Sequence, residues 1–177
     1  MHIIYLAGNS LRNKDWIEKV KAKFDKFSAG EILYYDHWQT GEKWLNLSTE
    51  SAKLIEKVKA QKNYFVFAKS IGTVLALKNI FEKKFTPLRA IFCGLPYQMA
   101  QESGPVDQYL KLLAIPTIFI QNEFDPVCSF AKLQAALAAH PPAADFKLIK
   151  IPGNSTHDYE DFSQLATLAK NFFGVVK

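Results

Sequence analysis

Arginine, cysteine and glycine are each scarce where particular functions would need them. Only two arginines, Arg12 and Arg89, stand among 22 basic residues, so the formal charge of +5 is almost entirely lysine. Proteins that read phosphates or base edges lean on the planar guanidinium fork, which binds them bidentately. Its scarcity argues against a nucleic-acid partner. Many lysines sit three or four positions from an acid, as in Lys14/Glu18 and Asp15/Lys19, the spacing of a solvated helix face. The two cysteines, Cys93 and Cys128, offer neither a disulfide framework nor metal-ligand spacing and read as buried free thiols. No metal or cofactor is called for. The first strand-to-helix loop, Gly8-Asn9-Ser10-Leu11-Arg12-Asn13-Lys14, has one glycine where a phosphate-binding loop needs two or three. A flavodoxin-like or nucleotide-binding domain is therefore disfavoured. No apolar run is long enough to cross a bilayer, and the N-terminus enters a strand without a basic leader and cleavage site. A cytoplasmic protein with no membrane partner is expected. No internal repeat, low-complexity tract or linker interrupts the chain, so residues 1–177 read as a single domain.

What is present is strand alternating with helix, six times over. Expected strands are His2–Ala7, Glu31–Tyr35, Tyr64–Ala68, Leu88–Cys93, Thr117–Ile120 and Phe146–Ile151. Between them lie Asp15–Phe27, a stripe of Leu47, Leu54, Ile55 and Val58 with Ser48 as its N-cap, Ile71–Lys83, Val106–Leu113 and Phe130–Ala139. A last helix turns Leu165, Leu168, Ala169 and Phe172 inward. This alternation predicts an α/β three-layer sandwich, a parallel sheet with helices on both faces. Right-handed crossovers then suggest the order 2-1-3-4-5-6 for the six-stranded sheet.

The third strand carries the most informative segment, Tyr64-Phe65-Val66-Phe67-Ala68-Lys69-Ser70-Ile71-Gly72. An apolar run breaks at Ser70 and passes at once into a helix-compatible run. Small residues two before and two after the serine, Ala68 and Gly72, allow a turn tight enough to lift its hydroxyl out of the sheet. This is the pattern of a nucleophile elbow, written Ala-x-Ser-x-Gly. The same residues also suit a serine that merely caps a helix.

Two later strands end in polar loops, one carrying Asp125 and the other His157. A serine hydroxyl is a poor nucleophile until a neutral imidazole takes its proton, and a carboxylate orients that imidazole and stabilises its charged form. The order Ser70, Asp125, His157, each just past a strand's carboxyl end, supplies all three parts. Taken singly, Asp125 before Pro126 reads as a turn former and His157 as an ordinary loop residue. Adjacent Asp36 and His37 imitate a dyad, but neighbours on a strand point to opposite faces.

On Ala68–Gly72, Asp125-Pro126-Val127, the Gly153…His157 loop and the opening Tyr5-Leu6-Ala7-Gly8-Asn9-Ser10, the chain resembles the small α/β hydrolases with a minimal sheet and no cap domain. The resemblance covers essentially the whole chain. It departs from the commonest pattern in Ala68, which replaces the first glycine of the elbow, and in Lys69 before the serine. Neither removes a catalytic group. The resemblance implies a carboxylesterase-like serine hydrolase that cleaves a small ester or thioester through an acyl-enzyme. Ser70 would be nucleophile, His157 base and Asp125 the orienting acid. Backbone N–H groups of Ile71 and of Asn9, or else Ser10, would form the oxyanion hole, although Gly8-Asn9 also reads as a tight turn and nothing more. The only partner implied is a small acyl substrate. A hydrolase-fold binding protein with an idle triad is the alternative.

Ser10, Trp38, Tyr97 and Met99, with Trp44, are candidate pocket walls; the aromatic ones serve as well to pin the loops at 36–46 and 94–105. The second loop stands where larger relatives insert a lid, and a dozen residues cannot build a helical cap. An open cleft gives long acyl chains little wall, and each methylene left in water forgoes about 0.8 kcal/mol of binding. Hydrolysis of p-nitrophenyl esters should therefore peak at roughly two to four acyl carbons. A rate that climbs steadily to long chains would refute this.

Overall fold

The computed structural model describes residues 2–174. Six strands form one parallel sheet: β1 (His2–Leu6), β2 (Ala29–Leu33), β3 (Tyr64–Lys69), β4 (Ala90–Cys93), β5 (Thr117–Asn122) and β6 (Phe146–Ile151), in the order β2-β1-β3-β4-β5-β6. Among the described residues, the longer connections hold α1 (Arg12–Phe24), α3 (Leu47–Val58), α4 (Ile71–Phe81), α6 (Val106–Lys111), α7 (Phe130–Ala139) and α8 (Phe162–Phe173). Two shorter helices, α2 (His37–Thr40) and α5 (Tyr97–Ser103), sit in the loops after β2 and β4. The expected sheet order and layering are the observed ones. α1 packs against α8 on one face, while α3, α4 and α6 pack in series on the other.

Burial follows position in the sheet. All six residues of β3 are buried, as are those of β4 and β5, whereas β6 at the edge is half exposed. A strand covered on both faces reads as a continuous apolar run, and the aromatic run at 64–67 is that case. Beneath α1, Phe67 meets Phe24 edge-on with ring centroids 5.0 Å apart and lies against Trp16 at 6.2 Å. The edge-to-face arrangement suits the ring quadrupoles.

Several boundaries move from their expected places for identifiable reasons. β2 runs over Ala29–Leu33 rather than Glu31–Tyr35 because β1 ends at Leu6, which pairs with Leu33 and leaves no strand for Tyr35 to join. Tyr35 instead buries its ring and donates its hydroxyl to the Ala7 carbonyl at 2.9 Å. α1 ends at Phe24, whose carbonyl accepts from the N–H groups of both Phe27 and Ser28 and so closes the turn. The N-cap of α3 is Asn46, not Ser48. Asn46 has the extended backbone a cap needs, and its side chain accepts from the N–H groups of Ser48 and Thr49. The loop at 94–105, expected to be too short for a helical cover, coils into the seven-residue α5.

Gly72 is where the sheet and α4 come closest. A Cβ there would lie 2.5 Å from the Ala7 carbonyl oxygen and 2.6 Å from that of Leu6, both backbone atoms that cannot swing aside. Gly72→Ala should therefore destabilise the fold by about 2 kcal/mol or more, despite alanine's better helix propensity. Urea unfolding checks this, and an unchanged midpoint would refute it.

Candidate active site

β3 stops at Lys69 and α4 starts at Ile71, so Ser70 alone makes the turn. Its backbone is at φ 53°, ψ −126°, a region that side chains rarely enter and that costs about 1–3 kcal/mol. Three hydrogen bonds hold it there. The Ser70 N–H donates to the Cys93 carbonyl at 2.9 Å. Its own carbonyl accepts from the Thr73 N–H at 2.8 Å and the Thr73 hydroxyl at 2.6 Å. The Ser70 side chain is half-buried and makes no hydrogen bond. As the first residue of α4, Ile71 has no intrahelical acceptor for its N–H.

Asp125, past the end of β5, is buried and surrounded by donors. Its Oδ1 accepts from the N–H groups of Val127 at 2.9 Å and Cys128 at 3.3 Å, closing the turn at Pro126. Both carboxylate oxygens face Nδ1 of His157, Oδ2 at 2.8 Å and Oδ1 at 3.0 Å. The Tyr159 hydroxyl donates to Oδ2 at 2.9 Å. Burial pushes the carboxyl's pKa up, but the His157 ring with the Val127 and Tyr159 donors outweighs it, and the net shift is downward. Asp125 thus forms its turn and holds the histidine with the same carboxylate.

With Nδ1 directed at Asp125, the other ring nitrogen of His157 is the free one. Nε2 is buried and has no hydrogen-bond partner in the protein. Both His157 and Ser70 border Cys93-Gly94: Ser70 bonds the Cys93 carbonyl, and a Cβ on Gly94 would lie 2.9 Å from Cε1 of His157. Gly94 (φ 61°) leaves room for the imidazole. No hydrogen bond joins Ser70 Oγ to His157 Nε2, a contact that in unliganded hydrolytic sites often tightens only with substrate.

Asn9 organises the facing loop. Its carbonyl accepts from the Trp38 indole at 2.8 Å and meets Nε2 of His37 at 2.6 Å. Its side chain accepts from the Leu45 N–H and donates to the Lys43 carbonyl, both at 2.8 Å. Everything but the Asn9 N–H is thereby engaged. His37 is accounted for by the same contacts and His140 by Asp107, 3.6 Å away, so neither stands at Asp125.

Two hollows open beside these groups. One of about 340 Å³ is lined by Asn9, Ile71, Trp44, Leu45 and Leu47, with Met99, Glu102 and Ser103 of α5. The other, about 580 Å³, is bordered by His157 and Ser10 and rimmed by charged side chains. Of the expected pocket walls, Met99 lines the first hollow and Ser10 the second. Trp38 and Tyr97 line neither of these two hollows: the Trp38 indole donates to the Asn9 carbonyl and holds its loop there, and Tyr97 donates to Asp107 at 2.6 Å, tying α5 to α6.

Three residues went unassigned in the sequence reading. Tyr159 is buried, accepts from the Asn122 N–H at 3.2 Å while donating to Asp125, and offers its carbonyl to the Trp16 indole at 2.8 Å. Asn122 donates its amide to the Thr156 and Asp158 carbonyls, at 2.8 Å and 3.0 Å, bracketing the histidine. Lys69 is buried with Nζ 2.9 Å from Asn13 Oδ1, 3.5 Å from Asp158 and 4.9 Å above the Trp16 ring. Burial lowers its pKa against the pull of Asp158. A tyrosine two places after the histidine was the only local signal; the rest are contacts between distant segments.

No family model and no curated protein sequence matches this chain. Solved structures do. A dienelactone hydrolase from Anabaena variabilis is 18% identical over 99% of this chain and 87% of its own, with a TM-score of 0.74. An α/β serine hydrolase homologue from Coxiella burnetii is 14% identical over 97% of this chain and 84% of its own, with a TM-score of 0.74. A Bacillus cereus protein is 19% identical with a TM-score of 0.75; the match takes in 97% of this chain but only 58% of that longer one. At these identities the likeness is one of fold, and the fold is that of the α/β hydrolases.

The Asp125 contacts carry a pH dependence. Its folded carboxyl titrates below the ordinary 3.8, so in acid the unfolded chain binds the proton first. The stabilisation is present in full above the unfolded value and is lost as pH falls through the folded one. Asp125→Asn should cost about 1–3 kcal/mol at neutral pH and lose stability less steeply than the native chain below pH ~4. Urea midpoints across that range decide it, and parallel acid limbs would refute it.

Proposed function

We propose that this chain, with its α/β-hydrolase fold, is a serine hydrolase that cleaves a small ester or thioester through an acyl-enzyme. The observation that carries the reading is the oriented imidazole: Nδ1 of His157 lies on the buried Asp125 carboxylate while Nε2 is buried and unpartnered. A histidine held in that tautomer presents a lone pair to whatever adjoins Nε2, and Ser70 is the neighbouring nucleophile across Cys93-Gly94.

In this reading Ser70 Oγ attacks the substrate carbonyl carbon as His157 Nε2 takes its proton, and Asp125 stabilises the imidazolium. The carbonyl oxygen becomes an oxyanion facing the N–H groups of Ile71 and Asn9. A hydrogen bond that forms only as charge develops lowers the barrier, and losing one such donor typically costs about a hundred- to thousandfold. When the intermediate collapses, the bond from carbon to the leaving oxygen or sulfur breaks and His157 returns the proton to that atom. Water, deprotonated by His157, then attacks the acyl-enzyme, releasing the acid and restoring Ser70. The strained turn at Ser70 supports the reading as well, since strain of this kind gathers where a side chain must be presented in one direction.

One observation favours a second reading, a hydrolase-fold binding protein with an idle site: Ser70 Oγ makes no hydrogen bond to the histidine. Only an activated serine reacts with a fluorophosphonate, so labelling separates the two. The native protein should label at Ser70. Ser70→Ala should abolish labelling and lower ester hydrolysis at least about a thousandfold. Because the hydroxyl has no partner to lose, stability should change by no more than about 1 kcal/mol. A native protein that does not label, or a Ser70→Ala protein that labels at Ser10 or Ser155, would overturn the proposal.

A further inference from the structure

The two hollows differ in chemistry, and each adjoins a different part of the site. The smaller is bounded by Ile71 and Asn9, the residues whose N–H groups face the oxyanion in the proposed reaction, and its other walls are the apolar Trp44, Leu45, Leu47 and Met99 with Glu102 and Ser103. The larger is bounded by His157 and rimmed by Arg12, Asp15, Lys19 and Glu160. Those four charges form no ion pair or side-chain hydrogen bond with one another. The group that protonates the leaving atom must reach it, so the leaving group lies on the histidine's side of the carbonyl and the acyl group away from it.

Resting on the serine-hydrolase reading, we propose that the substrate lies across Ser70 in one direction. A compact apolar acyl group fills the hollow of Trp44, Leu45, Leu47 and Met99, and a hydroxyl-bearing leaving group, a polyol, occupies the cleft of Arg12, Asp15, Lys19 and Glu160. With Lys69 and Asp158, which pair with each other at 3.5 Å, three cationic and three acidic side chains line the cleft and leave it without a net field to select an anion or a cation. They do supply donors from Arg12 and Lys19 and acceptors from Asp15 and Glu160, the mixture that a polyol's hydroxyls require. An alkyl leaving group would desolvate those charges and return nothing. The acyl hollow shows the reverse economy: its apolar walls gain from each methylene they cover until the roughly 340 Å³ is full.

The test separates the two ends of the substrate. Glyceryl monobutyrate and butyl butyrate share an acyl group and differ only in the alcohol; p-nitrophenyl esters of increasing length share the alcohol and differ only in the acyl group. The native enzyme should favour the glyceryl ester by about tenfold in kcat/KM, the effect of one or two added hydrogen bonds. Arg12→Ala should cut that preference to threefold or less and leave the acyl-length optimum in place. Trp44→Ala should shift the optimum to chains longer by two or more carbons and leave the alcohol preference in place. Both positions are exposed, and Lys19→Ala and Met99→Ala serve as second variants should either fail to fold. A preference for the butyl ester, crossed effects of the two substitutions, or no effect of either would overturn the orientation. Fluorophosphonate labelling is followed in parallel: a labelled enzyme with these contrary profiles loses this proposal alone, and an unlabelled native enzyme loses the serine-hydrolase reading with it.

Discussion

One strained residue sets the terms for the rest of the site. Ser70 must reverse the chain from a fully buried strand into a buried helix within a single residue, and a non-glycine backbone at φ 53° does so only when its surroundings outweigh the strain. The bond to the Cys93 carbonyl does part of this by extending the β3–β4 pairing one residue beyond the strand. Thr73 does another part by covering the Ser70 carbonyl. The rest is steric: the turn of α4 can lie against the carbonyls of Leu6 and Ala7 only because residue 72 has no side chain. The elbow therefore depends on β1, β3, β4 and α4 at once, and the apolar packing of the sheet maintains a local conformation that the local chain would not choose.

A second dependence runs through Asp125. A buried carboxylate is costly unless donors surround it, and this one is met by the backbone of its own turn, a tyrosine hydroxyl and an imidazole. That requirement is what gathers the last loop. Tyr159 reaches Asp125 with its hydroxyl and Trp16 with its carbonyl, so the segment bearing His157 is fastened to the loop after β5 and to α1. Lys69 adds a third fastening through Asp158 and Asn13 while sitting over Trp16. Histidine orientation, loop placement and α1 packing are thus one problem, which the chain solves with a few buried polar groups.

Features governed by neighbours in the chain were legible without a structure. The apolar run at 64–67 announces a doubly covered strand, and alternating strands and helices leave few sheet orders that right-handed connection permits. Ser70, Asp125 and His157 stand out as candidates for the same reason: in a parallel sheet every strand runs the same way, so residues just past strand ends lie at one edge whatever their separation in sequence. Features settled by competition between segments were not legible. Asn46 rather than Ser48 caps α3 because the backbone is extended at 46, which residue type alone does not reveal. Trp38 and Tyr97 had the composition of pocket walls, and the hydrogen bonds each makes, to Asn9 and Asp107, join segments that residue type alone does not pair.

Periodicity and residue order by themselves determined the layers and the strand order, and singled out Ser70, Asp125 and His157 as candidates, since each is a matter of spacing along one chain direction. Tertiary structure alone decided that Asp125 would serve turn and histidine together, that Tyr159, Asn122 and Lys69 would fasten the histidine loop, and that one hollow beside the site would be apolar and the other charged. The physical reason is range. A helix cap is stabilised by groups within a few residues and a strand's apolar pattern is read along its own length, whereas Trp16 and Tyr159, 143 positions apart, have no reason to be recognised as partners until the sheet has brought α1 and the last loop to the same edge.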